Sequence, residues 1–278
     1  MQRAATFLHL TDVHIGLPDD THLHSDTTET LRQVVAEVAR IQPRPDFAIV
    51  SGDLTNAGDE ASYGVLRSEL ERMGMPLVCA IGNHDTREGF YRGYLGRTEA
   101  LDAPYDHDTV LAGVHVITLD STIPGSIGGD LDGAQFDWLQ AALDRHTDLP
   151  RLIVIHHPPA LDDLPSDTPW RMLPVATSQR LAAMLADQRV AGILSGHIHH
   201  DRFSAWHGIP LIVGHGLHAA TDILDPDYLR MVRSAGFGLG TLRASGLTMA
   251  LVPLPSDRAE LARYPLAQLR ARALAAAE

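Results

Sequence analysis

Five times in this chain a short apolar, branched run ends in aspartate, asparagine or histidine, and that recurrence limits the fold more than any other feature. Phe7-Leu8-His9-Leu10 leads into Thr11-Asp12-Val13-His14, and Phe47-Ala48-Ile49-Val50 into Ser51-Gly52-Asp53. Leu77-Val78-Cys79-Ala80-Ile81 leads into Gly82-Asn83-His84-Asp85, Leu152-Ile153-Val154-Ile155 into His156-His157-Pro158-Pro159, and Ile193-Leu194 into Ser195-Gly196-His197-Ile198-His199. These runs, with 114–119, are brief and bounded by Gly, Pro or Asp, as buried strands are. Amphipathic stretches at 30–41, 60–73, 133–143 and 178–188 lie between several of them, the first with Leu31, Val34, Val35, Val38 and Ile41 on one face. Asp26 and Thr27 can cap that helix, and Pro43 and Pro45 follow its end. Such alternation predicts a layered α/β domain, in which the carboxyl ends of the strands line one crevice and the five loops converge. The later runs 210–213, 238–242 and 247–252 have no helices between them and read as antiparallel strands completing a second sheet. Residues 1–255 make one domain on this reading. The Ala-, Leu- and Arg-rich tail, 256–278, is expected to be helical and to serve packing or oligomerisation.

The converging groups are Asp12, Asp53, Asn83 and at least His14, His156, His197 and His199. They are too many for one tetrahedral ion and include no thiolate. Mixed imidazole, carboxylate and amide ligands suit Mn, Fe, Co or Zn. A folded protein gathers uncompensated carboxylates and imidazoles only where a cation neutralises them. With one carboxylate shared, the set fits two ions a few ångströms apart, the arrangement that clamps an in-line displacement at phosphorus. Asp12 and His14, two apart on an extended segment, point to the same side, and His197 and His199 repeat that geometry.

Composition removes much other chemistry. All 22 basic residues are Arg, which excludes Schiff-base catalysis and a P-loop. A formal charge of −13 disfavours a grip on extended nucleic acid, and no basic stripe interleaves with aromatics. The single cysteine, Cys79, sits within an apolar run, reads as a small buried residue and excludes an internal disulfide. The N-terminus carries no signal-peptide pattern and no apolar stretch is long enough to span a membrane, so a cytoplasmic protein is expected.

Taken together, Asp12-X-His14, Gly52-Asp53, Gly82-Asn83-His84-Asp85, His156 and Gly196-His197-X-His199 resemble the signature of the calcineurin-like metallophosphoesterases over about residues 5 to 220. The spacings and the His156-His157-Pro158-Pro159 run look most like the class III cyclic nucleotide phosphodiesterases and the related bacterial glycerophosphodiesterases. The resemblance implies a four-layer α-β-β-α sandwich with a binuclear site at the strand ends. It implies Asp12, His14 and His199 on one metal, Asn83, His156 and His197 on the other, and Asp53 bridging. It makes His84 the residue that steadies or protonates the phosphoester, and Asp85 the group that orients His84. A bridging water, its pKa lowered by two divalent ions, would attack phosphorus in line with the leaving alkoxide. His157 is expected to be a bystander, since adjacent strand residues face opposite sides. Leu54-Thr55-Asn56 stands where the purple acid phosphatases carry a tyrosine ligand, which disfavours that branch.

His215 and His218, in Gly214-His215-Gly216-Leu217-His218, fall where a loop of related enzymes touches the site, so one of them is a candidate substrate contact. The same stretch mimics a dinucleotide fingerprint but lacks the βαβ context. His22 and His24 read as solvated loop residues near the cleft, and 160–174 as a loop that covers the site or lies on the surface. The function expected is hydrolysis of a small phosphodiester, a cyclic nucleotide or a glycerophosphodiester. The alternatives are a phosphomonoesterase or phosphonate-ester hydrolase acting on nucleotides or lipid headgroups, and, disfavoured by the complete ligand set, a non-catalytic scaffold. A homodimer or higher homo-oligomer is an option that the tail offers.

Overall fold

The strands Ala5–Leu10, Phe47–Ser51, Val114–Leu119 and Arg151–Ile155 are buried on both faces, so each needs cover on two sides. The computed structural model, describing residues 4–18, 20, 23–162 and 171–269, provides it with two facing sheets. In chain order the elements are β1 (Ala5–Leu10), α1 (Thr27–Val38), β2 (Phe47–Ser51), α2 (Glu60–Glu71), β3 (Leu77–Ala80) and α3 (Arg87–Gly89), which runs on as a π-helical turn, Phe90–Tyr94. Then follow β4 (His107–Leu111), β5 (Val114–Leu119), α4 (Gly133–Leu143), β6 (Arg151–Ile155), α5 (Val175–Leu185), β7 (Val190–Ser195), β8 (Arg202–Trp206) and β9 (Ile209–Val213). The chain closes with β10 (Ala220–Asp222), β11 (Tyr228–Val232), β12 (Gly236–Arg243), β13 (Gly246–Pro253) and β14 (Glu260–Pro265).

One sheet has the order β13-β12-β1-β2-β3, the other β4-β5-β6-β7-β9-β8, and β10-β11-β14 form a small third sheet. The cores show the layering. Phe7, Phe47 and Ile49 of the first sheet meet Val116, Leu152 and Val154 of the second between the sheets. The outer face of the first sheet packs on Leu31, Val34 and Val35 of α1 and Leu66 of α2. Phe136 and Leu139 of α4 and Leu181 of α5 cover the second. The result is the expected α-β-β-α sandwich. Side-chain caps fix the helix starts: Asp26 accepts from Glu29 N, Asp59 from Ser62 N, and Asp132 with Gln135 closes a capping box. Among the described residues no helix is long and apolar enough to cross a membrane.

Two expectations change. The late strands do not complete one second sheet: β9 runs parallel to β7, whereas β12 pairs antiparallel with β1 and carries β13 with it. The tail is not helical from 256 onward. Glu260–Pro265 is a strand paired with β11, only 266–269 are helical, and 270–278 lie outside the described residues. Arg230 of β11 explains the override of helical composition, since it bridges Glu260 at 2.8 Å and Asp222 at 2.9 Å across the small sheet.

Candidate metal centre

The parallel strands of both sheets deliver their carboxyl ends to one edge. There β1 exits into Asp12 and His14, β2 into Asp53, β3 into Asn83 and His84, β6 into His156, and β7 into His197 and His199. Backbone hydrogen bonds lace the exits together: Asp12 N donates to Gly52 O at 3.0 Å, His14 N to Asp53 O at 2.9 Å, and Gly196 N to His156 O at 3.1 Å. Asp12, His14, Asp53, His197 and His199 all hold left-handed φ angles, between 46° and 76°, which side-chain-bearing residues seldom adopt. Gly82 explains the recurring glycine beside the polar residues. A Cβ there would stand 2.5 Å from Asp53 N and 2.7 Å from His156 Cδ2.

Two clusters result. The candidate ligand atoms of Asp12, His14, Asp53 and His199 lie within 4.8 Å of one another, as do those of His156, His157 and His197. Asp53 Oδ2 stands between them, 3.5 Å from His14 Nε2 and 3.3 Å from His156 Nε2. Asn83 Oδ1 is 2.9 Å from His197 Nδ1, and His199 Nε2 is 3.4 Å from Asp12 Oδ1. All of these except Asn83 are buried.

The ring nitrogens test whether the set fits cations. His14 Nδ1–H donates to Asn56 Oδ1 at 3.2 Å, His156 Nδ1–H to Ser51 O at 2.9 Å, and His199 Nδ1–H to Ala219 O at 3.0 Å. Those bonds fix the tautomers and leave Nε2 lone pairs aimed at carboxylates. The Nε2 atoms of His14, His156 and His197 are buried without a hydrogen-bond partner. A lone pair facing a carboxylate at this range is repulsive unless positive charge stands between them. The protonation balance says the same. Burial works against charge on His156, yet the Asp53 carboxylate outweighs it and raises the imidazole to about 9. Burial likewise opposes ionised Asp53, but His156 above all holds its carboxyl well below the usual range. Burial keeps His14 and His197 far below the ordinary imidazole range, and so neutral and ready to donate lone pairs. Nitrogen and oxygen donors in two clusters sharing one carboxylate fit a binuclear divalent metal site.

His157 is the bystander expected, but not by pointing away: its ring lies 4.6 Å from that of His197, and Nε2–H donates to Ile127 O at 3.1 Å while Nδ1 accepts from Ser121 Oγ at 2.8 Å, leaving no atom to ligate. Two expectations need correction. Asp85 does not touch His84. Its buried carboxylate accepts from Leu54 N (3.0 Å), Thr55 N (3.1 Å), Gly82 N (2.8 Å) and Tyr63 OH (2.7 Å), which ties the Asp53 loop to the Asn83 loop. His84 is oriented instead by the Asn56 carbonyl, 3.0 Å from Nδ1, while its backbone N–H donates to Asp53 Oδ1 at 2.9 Å. Of the other pair, His215 turns to Ser234 Oγ (2.7 Å) and Asp201 (3.3 Å) and stays out of both clusters. His218 packs 4.9 Å from the His14 ring, its Nε2 buried and unpartnered. His24 is exposed and parallel to His218 at 6.1 Å; His22 and 163–170 lie outside the described residues.

Asn56 and Tyr63 escaped the sequence reading. Asn56 closes the Gly52-Asp53-Leu54-Thr55-Asn56 run and holds His14 with its side chain and His84 with its carbonyl. Its position three residues after Asp53 was the available signal.

The family described as calcineurin-like phosphoesterase matches residues 5–201. A probable cyclic nucleotide phosphodiesterase of Rhodococcus erythropolis is 32% identical over 74% of this chain and 68% of its own length. A probable glycerophosphodiester phosphodiesterase of Arcobacter nitrofigilis is 26% identical over 68% of this chain and 73% of its own. Among solved structures, a purple acid phosphatase from yellow lupin seeds superposes with a TM-score of 0.62 at 13% identity, covering 90% of this chain and 52% of that one, a likeness of fold.

Proposed function

The chain belongs to the calcineurin-like phosphoesterase family, and on that footing we propose that it is a metal-dependent phosphodiesterase hydrolysing small diesters, a cyclic nucleotide or a glycerophosphodiester. The observation that carries the reading is Asp53. One buried carboxylate oxygen faces the unpartnered Nε2 atoms of both His14 and His156, where a ligand shared by two ions has to stand. Asp12, His14 and His199 would hold one divalent ion, Asn83, His156 and His197 the other, and Asp53 both. When bound, such ions polarise phosphoryl oxygens and lower the pKa of water. The donor set suits Mn, Fe, Co or Zn.

The side chains do the rest. With Nδ1–H on the Asn56 carbonyl, His84 leaves Nε2 as its free atom beside the cluster. In the imidazolium form Nε2–H donates to a phosphoryl oxygen and then releases its proton to the departing alkoxide. His218 flanks His14 as His84 does, and offers its unpartnered Nε2 to the substrate. Asp85 holds the Asp53 and Asn83 loops in mutual register. A net charge of −13 favours a compact diester over a polyanion.

The test is turnover by protein reloaded with Mn, on a bis-aryl phosphate beside a mono-aryl phosphate, with 3′,5′-cyclic AMP, 2′,3′-cyclic AMP and a glycerophosphodiester in parallel. Preference for diesters is expected, and the best natural substrate chooses between the two classes. Preference for the monoester would make the protein a phosphatase. Absence of all turnover with two metals bound would refute catalysis.

A further inference from the structure

Beside each of the two clusters stands one more buried histidine than the ligand set uses, His157 next to His197 and His218 next to His14. The candidate ligand atom of His218 lies within 4.8 Å of those of His14 and His199, as that of His157 does with His156 and His197. Hydrogen bonds separate the two cases. His157 commits both ring nitrogens, to the Ile127 carbonyl at 3.1 Å and to Ser121 Oγ at 2.8 Å. His218 is only 9% exposed, and its Nε2 is buried with no hydrogen-bond partner. Such an atom is costly to leave unsatisfied, and a cation shared with neighbouring imidazoles satisfies it.

The backbone holds His218 in that place. Leu217 N donates to Asp12 O at 3.1 Å and Thr221 N to His199 O at 2.7 Å, so the segment carrying His218 is pinned on both sides to residues of the first cluster. Ser25 Oγ donates to the His218 carbonyl and Thr27 Oγ1 to the His14 carbonyl, each at 2.9 Å, which fixes both residues against the start of α1. Gly216, at a φ of 87°, permits the close approach: a Cβ there would stand 3.1 Å from Asp12 Cβ. The rings of His14 and His218 are 4.9 Å apart, as near as those of His14 and His199 at 5.1 Å, the pair already placed on one ion.

We propose that in the substrate-free protein His218 Nε2 is a further ligand to the ion held by Asp12, His14 and His199, before it turns to a phosphoryl group. The proposal rests on the two-ion reading of the site. It makes the two positions unequal. Three imidazoles and two carboxylates would serve the first ion, and two imidazoles, one amide and the shared carboxylate the second.

The test uses the full chain, stripped of metal and reloaded with cobalt(II) in the absence of substrate and phosphate. A histidine bound to cobalt gives imidazole proton signals shifted by direct contact with the metal's unpaired spin. His14, His156, His197, His199 and His218 should each contribute such a set in wild type, and a spectrum without that of His218 overturns the proposal before any variant is made. His218→Gln should lose one set. One of its two stepwise cobalt affinities, read by competition with a chromophoric chelator, should fall at least about tenfold, the lower end of what removing even a group behind a ligand costs. Imidazole added to His218→Ala should restore that affinity, which a merely structural side chain would not allow. Unchanged signals and unchanged affinities in His218→Gln would overturn the proposal and leave His218 to the substrate alone. A wild type that takes up fewer than two ions per chain would instead overturn the two-ion reading beneath it.

Discussion

Replacing Asp85 by Asn should separate two roles for this carboxylate, holding loops together or orienting His84. One oxygen accepts from Thr55 N, Thr55 Oγ1 and Tyr63 OH, the other from Leu54 N and Gly82 N. An amide nitrogen in the second position would face two backbone N–H groups, neither of which can reverse. In the first position it faces one, since the Thr55 and Tyr63 hydroxyls can rotate to accept. The introduced amide will turn its nitrogen to the first position and leave Thr55 N–H unsatisfied, a cost of about 1–3 kcal/mol. For a chain of this size that lowers the melting temperature by roughly 2–5 °C. Asp85→Ala strands three backbone N–H groups and should cost about twice as much, with water offsetting part. The Leu54 and Gly82 anchors adjoin Asp53 and Asn83, so loosening them should cut kcat/KM on the order of 10²-fold through misplaced ligands. Calorimetry, metal content by plasma mass spectrometry and a pH–rate profile read these effects together. The profile should fall without a shift of its limbs. A variant with native melting temperature and full metal content but displaced limbs would show that Asp85 works through His84, and would refute the argument.

His84→Ala should keep both ions while kcat drops about 10²- to 10⁴-fold, the range of a lost general acid; unchanged turnover would remove His84 from the mechanism. Asp53→Ala should lose both ions, and two metals retained per chain after dialysis would sink the bridging assignment. Stability should fall as pH rises from about 4 to 6 because burial raises Asp106 to about 6, against about 3.9 in the unfolded chain. A raised carboxyl favours folding below the unfolded value and loses that contribution as pH climbs through the folded one, about 2–3 kcal/mol in all. Asp106→Asn should flatten that part of the melting-temperature curve, and an undiminished slope would place its origin elsewhere.

The convergence of the candidate ligands was legible because each member follows an apolar run with its own punctuation, and parallel sheets put such exits on one edge. The role of Asp85 was not, because its partners are backbone amides at 54, 55 and 82, whose convergence is a property of the fold. His215 and His218 were indistinguishable by spacing. Ser234 and Asp201, which claim His215, are distant or unmarked in the sequence. The tail misled because Ala, Leu and Arg favour helix, whereas cross-strand pairing through Arg230 decided the outcome.

The partner of β1 has a consequence for synthesis. Asp12 and His14 leave a strand flanked by β2 on one side and by β12, Gly236–Arg243, on the other, with Ala5 opposite Leu242. A nascent chain released to residue 201 already carries every candidate ligand, yet β1 is then an open edge and β7 lacks β9. β1 must therefore wait for a partner more than 200 residues further along the chain before its sheet closes, which makes this a slow-folding topology whose exposed edge invites wrong pairing meanwhile. Truncation before β12 should yield an aggregating fragment, although such a chain keeps every candidate metal ligand.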